Sequence, residues 1–365
     1  MKKVGIITLT GNSNFGNKLQ SYALNKVISN MGNDTYTIKN YQITNNRDKT
    51  IKDYLKDIKN KCLEVKGYIL KKDCRKEVKR KKVFTKFDRN IRYYKKVITL
   101  KKSKEFNCKF DYFIVGSDQV WNPKYNSLSP VELLEFADEK KRNSYAASFG
   151  ISDIPKEYEE KAKRELLKFK NISVREEAGK KIIYKLTNRD DIVVSIDPTM
   201  LLTGDEWDKI SIKPKKIIEN EKYILNYFLG ELSESRKKEI EKIAQKDNCK
   251  IINILEKNDP YYINGPSEFL WLEKHAYLIC TDSFHSAVFA ILYSKPFVVF
   301  NREDNDANMN SRLETLLSKF KLEDRYYQGK ITDNLLKCNY TEAYKILEAE
   351  RKKSNRYLEK ALGEK

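Results

Sequence analysis

From Lys222 onward the sequence alternates short apolar runs with amphipathic stretches of helical period. Strands are expected over 223–229, 250–255, 277–280 and 297–300, and helices over 233–245, 267–274 and 285–293. This alternation constrains the fold more than any other feature. A strand, a single helix and a second strand close by a right-handed crossover, and repeating that unit builds a parallel, doubly wound sheet with helices on both faces. Residues 215–335 are therefore expected to form a Rossmann-like domain. Ser233 and Ser267 stand where N-caps belong.

The first half carries the same pattern less regularly. A strand is expected over 3–9, a Gly/Asn-rich loop over 10–17 and a helix over 18–31. Further apolar runs at 112–115, 144–147 and 192–196 each end in polar residues, as strands of a parallel sheet do where loops present chemistry. The Asp197-Pro198 and Gly204-Asp205 turns break the periodicity, which places a boundary between 1–200 and 215–335. Residues 340–365 read as a terminal helix that returns to the first domain.

With 40% hydrophobic and 12% aromatic residues in 365, the chain can fill two cores despite 34% charged side chains. The formal charge of +20 favours anionic partners in general. Much of it lies in 47–109, where Ile51, Leu55, Ile58, Cys62, Val65 and Ile69 keep helical spacing beside lysine clusters. A solvated lysine-rich face explains that segment most simply; a face resting on an anionic membrane is the functional reading. No nucleic-acid motif accompanies the lysines, so no specific nucleic acid is expected as a partner. The six cysteines form no C-x-x-C pair and only two histidines could join them, so reduced thiols and no metal site are expected. No signal peptide or membrane span is legible, and a cytoplasmic protein is expected.

Five loops combine residue types that suit chemistry. Asn14 and Asn17 flank Phe15-Gly16 ahead of a helix, where free amides can take sugar hydroxyls or an anion, or where the loop simply turns. After the run 112–115 come Gly116-Ser117-Asp118-Gln119-Val120-Trp121-Asn122. A carboxylate, a carboxamide and an indole together suit sugar recognition, and Asp118 is placed to act as a base. Ser173-Val174-Arg175-Glu176 sets an arginine at a strand-to-helix edge, where it can clamp phosphate or carboxylate; by local sequence alone an ion pair with Glu176 or Glu177 competes. Asp197-Pro198-Thr199 closes the run 192–196. Thr281-Asp282-Ser283-Phe284-His285-Ser286 is the sharpest, ending a strand and opening a helix with hydroxyls, an imidazole and free amides. His275 reads as surface or packing.

In this order the five motifs resemble those of the polysaccharide pyruvyl transferase family, over roughly residues 4 to 318. The resemblance implies two Rossmann-like doubly wound α/β domains facing a cleft, as in GT-B glycosyltransferases, with acceptor binding in the first and donor binding in the second. It also implies phosphoenolpyruvate as co-substrate without a further cofactor, and a glycan or lipid-linked oligosaccharide as acceptor. Arg175 then matches the donor-contacting arginine and His285 the histidine of the second-domain motif. Some members have an arginine where this sequence has Ser283, so Lys295, Arg302 or Arg312 would have to supply the second cation. The roles expected are His285 and Asp118 in catalysis, Arg175, Ser283, Ser286 and Arg312 at the donor, and Asn14, Asn17, Gln119 and Trp121 at the acceptor. A nucleotide-sugar glycosyltransferase and a noncatalytic glycan- or nucleic-acid-binding protein are the rivals.

Overall fold

A computed structural model describes residues 1–10, 13–40, 72–99, 102–126, 128–216, 221–302 and 311–363. Gly11, Asn12, Asn310 and the helix expected over 51–69 lie outside these residues. The chain divides into two compact units. Among described residues the first holds 1–40, 88–201 and 349–363, and the second holds 72–87 and 202–348.

In the first unit, β1 (Lys3–Ile7), β2 (Asp34–Ile38), β3 (Tyr112–Val115) and β4 (Arg142–Ser144) form a parallel sheet of order β2-β1-β3-β4. Bridges from Asn143 to Asn171 and from Ala147 to Val174 carry it on to the pair β5 (Ser173–Val174) and β6 (Val193–Val194). β2 escapes the sequence reading because Asp34-Thr35-Tyr36-Thr37-Ile38 holds too few apolar residues to stand out before it is paired. At the end of β3, Gly116 has φ +123°, and a Cβ there would come within 2.1 Å of the Tyr145 carbonyl oxygen, so only glycine fits. The Gly116–Ser117 peptide is cis.

The second unit repeats the scheme. β7 (Tyr223–Tyr227), β8 (Lys250–Asn253), β9 (Leu278–Thr281) and β10 (Phe297–Val299) are all parallel in the order β10-β9-β7-β8. In both units the first strand lies between the second and third, so connections leave it toward opposite sides. That switch point opens a crevice at the carboxyl ends of the strands. Four of the five sequence motifs sit on those ends: Gly116–Asn122 after β3, Arg175 after β5, Asp197 after β6 and Asp282–His285 after β9.

One expectation about domain membership changes, and another is met along most of its helix. Helix Lys72–Phe87, counted above within the first domain, groups with the second unit. Arg80, Phe84 and Phe87 recur on its buried side, and the Arg80 guanidinium donates to the Tyr262 carbonyl and lies 5.0 and 4.8 Å from the ring centroids of Phe84 and Tyr262. Lys79, Lys81, Lys82 and Lys86 stay exposed. Helix Thr341–Ala361 is shared: Tyr344 Oη donates to Leu292 O at 2.8 Å in the second unit. Further along, Arg351 Nε reaches Met200 O at 2.7 Å and Tyr357 Oη reaches Ser144 O at 2.8 Å in the first. The caps differ as well. Ser233 occupies an N-cap position without a side-chain capping bond, and Ser267 lies inside helix Pro266–His275, whose N-cap is Gly265.

No described helix is long and apolar enough to cross a membrane. Cys108, Cys249, Cys280 and Cys338 are free thiols. Among the described residues no group of three or more His, Cys, Asp or Glu is placed to hold a metal ion.

Candidate active site

The first unit gathers three motifs around one buried cation. Sheet order brings the ends of β3, β5 and β6 together, although 57 residues separate Arg175 from Asp118 and 22 separate it from Asp197. Arg175 Nη1 donates to Asp197 Oδ2 at 2.8 Å and Nη2 to Asp118 Oδ1 at 3.5 Å. Its side chain is 2% exposed. Burial works against the charge, but Asp197 and Asp118 outweigh it and hold the guanidinium pKa above its ordinary value. The competing ion pair with Glu176 is not what forms: Glu176 Oε1 instead accepts from Ser148 Oγ and from the Phe149 and Gly150 amides.

Asp197 is the hub that sequence reasoning left out of the residue roles. Besides Arg175 it accepts from Ser117 Oγ at 3.0 Å, from the Thr199 amide at 3.0 Å and from Thr199 Oγ1 at 2.7 Å. Every lone-pair direction of the carboxylate is thereby used, which fixes the acid as a structural counter-ion. Asp118, at φ +70°, also accepts from the Gln119 amide at 2.9 Å, and its contact with Arg175 is the longer of the two. The signal for Asp197 was its address at a strand end, which only the sheet order turns into a contact.

The residues expected to hold the acceptor do other work. Trp121 is fully buried, with its ring 5.4 Å from Phe149 and 5.5 Å from Phe169 and its indole N–H on the Glu132 carbonyl, so it is a core residue and not a sugar platform. Gln119 is 7% exposed and accepts from Asn122 Nδ2 at 2.6 Å, which makes it a brace within its loop. Asn14 is exposed but caps helix Phe15–Asn30, accepting from the Asn17 amide at 3.0 Å. The Asn14 side chain is thereby used in the turn that opens the helix.

In the second unit, Asp282 organises the carboxyl end of β9. It accepts from the Leu229 amide at 2.7 Å, the Gly230 amide at 2.8 Å and Arg302 Nε at 3.1 Å. Burial raises its pKa above the ordinary carboxylate value, against the pull of Arg302 and the two amides. Ser283 is the N-cap residue of helix Phe284–Leu292, with its amide on Thr281 Oγ1 at 2.9 Å. His285 lies in the first turn of that helix, 7% exposed, its ring edge-on to Phe284 at 5.4 Å.

Ser286 does not line this edge. Its Oγ donates to Glu273 Oε1 at 2.6 Å on the neighbouring helix Pro266–His275, and both side chains are fully buried. Of the cations proposed to replace the missing arginine, Lys295 precedes β10 and lies at the amino end of the sheet, away from the other loops. Arg312 is buried within helix Ser311–Phe320. Arg302, directly after β10, is tied to Asp282 at the carboxyl edge. His275 stacks on Trp271 at 3.9 Å on the surface, as expected.

Comparison with known proteins follows the same lines. A glycosyltransferase from Rickettsia africae is 12% identical over 99% of this chain and 99% of that one, with a TM-score of 0.50. UDP-GlcNAc 2-epimerase from Neisseria meningitidis, solved with UDP-GlcNAc, is 13% identical over 100% and 98%, with a TM-score of 0.49. At such identities the likeness concerns the fold alone, and the Rickettsia structure supports a pair of Rossmann-like units of the GT-B type. No curated protein matches the sequence significantly. The profile described as polysaccharide pyruvyl transferase matches residues 14–305, and so takes in all five motifs from Asn14 to His285. This chain belongs to the polysaccharide pyruvyl transferase family.

Proposed function

We propose that the protein transfers pyruvate from phosphoenolpyruvate to two hydroxyls of a glycan sugar, forming a ketal and releasing inorganic phosphate. Family membership supports a transferase acting on polysaccharide; the observation that carries the finer reading is the Arg175 cluster. Asp197 holds the guanidinium in place at 2.8 Å, while the 3.5 Å contact to Asp118 is the weaker one. A phosphate or carboxylate oxygen of the donor replaces Asp118 on Arg175, since a bidentate anion gains more from the guanidinium than one distant carboxylate oxygen. Asp118, released from its ion pair, then takes the proton of the attacking hydroxyl.

The chemistry balances as follows. A proton adds to the donor methylene carbon, the first hydroxyl oxygen bonds to the neighbouring carbon, the second hydroxyl displaces phosphate from that carbon, and the two hydroxyl protons leave to bases. His285 supplies or takes a proton in this sequence, and the positive amino end of its helix favours the departing phosphate. Phosphoenolpyruvate is the only co-substrate the reading calls on, and a lipid-linked precursor on an anionic membrane is the acceptor form that suits a charge of +20.

The test is phosphate release from phosphoenolpyruvate by the purified protein, with and without a panel of free and lipid-linked glycans. Acceptor-dependent release is expected, with kcat reduced about 10²- to 10⁴-fold in His285→Ala at unchanged melting temperature. Release of a nucleoside diphosphate from a nucleotide sugar, with phosphoenolpyruvate untouched, would replace this reading with the glycosyltransferase one.

A further inference from the structure

A cleft of about 640 Å³ opens in the second unit between the carboxyl ends of β7 and β8 and helix Glu234–Lys246, a volume suited to a small ligand. Its floor is mixed. Phe228 and Leu232 provide apolar surface, and Asn226 and Asn253 provide carboxamides. Asn226 is 7% exposed and gives its Nδ2 to Asn253 Oδ1 at 2.9 Å, while its buried Oδ1 accepts no hydrogen bond among the described residues. A buried acceptor left open at a cleft wall costs stability unless something in the cleft donates to it.

The rim states what that donor is. Among the described residues, Glu231, Glu241 and Glu256 line the cleft against a single lysine, Lys237, which is itself paired with Glu234 at 2.6 Å. An excess of carboxylates repels phosphate and pyrophosphate, and it welcomes a neutral ligand rich in O–H donors. A sugar has both faces required, hydroxyls for the carboxylates and Asn226 and a C–H surface for Phe228 and Leu232. We infer that this cleft is a saccharide-binding subsite for an uncharged sugar. Resting on the reading above, it seats the acceptor glycan. Its wall residue Gly230 donates to Asp282 Oδ2, so the cleft adjoins the edge that carries His285. This moves acceptor recognition away from Asn14, Gln119 and Trp121, whose side chains are spent on the fold of the first unit.

The experiment is a methyl-detected NMR titration of the full chain, labelled at Ile and Leu methyls, with lactose, cellobiose and methyl galactoside, and separately with inorganic phosphate and uridine. No phosphoenolpyruvate is present, so failure of pyruvyl transfer leaves this result standing, and phosphate release without binding here sinks only this inference. At least one neutral sugar is expected to shift Leu232, Leu255 and Ile251, with affinity about tenfold weaker in Asn226→Leu and lowered in Glu256→Gln. Phosphate is expected to leave those methyls unmoved. Should Asn226→Leu fail to fold, Glu256→Gln and Glu231→Gln carry the comparison. The inference is overturned if no sugar shifts these methyls, if uridine or phosphate shifts them and sugars do not, or if folded variants bind like the wild type.

Discussion

At the scale of single residues, the buried Arg175 guanidinium sits between Asp197 at 2.8 Å and Asp118 at 3.5 Å, each brought from a different strand end. Local spacing favours Glu176 as its partner, yet a side chain at a strand end meets whatever the neighbouring strands deliver, here Asp197 and Asp118. Removing Asp197 leaves the buried guanidinium with the longer 3.5 Å contact to Asp118 in place of its close partner. Asp197→Ala is accordingly expected to destabilise the protein by about 3–5 kcal/mol in urea unfolding, and Asp197→Asn by less because the Thr199 bonds survive. A loss below about 0.5 kcal/mol for Asp197→Ala would show that the cluster does not hold the sheet ends together. Asp118→Asn is expected to leave stability nearly unchanged while lowering kcat by about 10²-fold or more, as measured by phosphate release. Trp121 shows the limit of residue-type reasoning. An indole after a strand suits both sugar stacking and a core, and only the positions of Phe149 and Phe169 decide for the core.

At the scale of elements, β1, β3 and the strands after Lys222 were legible because buried parallel strands are nearly continuous apolar runs. β2 was not, since Asp34–Ile38 gains its burial only by pairing with β1. Helix Phe284–Leu292 was legible as the bearer of His285, but what anchors it was not. Ser286 ties its first turn to Glu273, whose second carboxylate oxygen has no hydrogen-bond partner among the described residues. Burial holds the Glu273 pKa well above its ordinary value, so the fold favours the protonated acid. The stabilisation is therefore full at low pH and is lost as pH rises from the ordinary carboxylate pKa through the raised one. Glu273→Gln keeps an acceptor for Ser286 and cannot ionise. Its melting temperature should exceed the wild type by a few degrees at pH 8, with the gap closing near pH 4. A gap independent of pH would contradict the buried neutral acid.

At the scale of the whole molecule, two units of the same strand order place their motifs on the carboxyl ends of parallel strands. That much follows from alternation and handedness, which is why the fold class could be read without coordinates. The assignment of helix Lys72–Phe87 to the second unit could not, because it rests on Arg80 meeting Phe84 and Tyr262, a contact that no periodicity announces. Pyruvyl transfer by these motifs is the activity proposed for the protein. Its most direct measurement follows phosphoenolpyruvate, inorganic phosphate and the mass of a purified glycan acceptor in one reaction. The prediction is one phosphate released for each acceptor that gains a pyruvate ketal, with both lost together in His285→Ala and Arg175→Ala. Phosphate release without acceptor modification, or a modified acceptor from the folded His285→Ala variant at the wild-type rate, would contradict it.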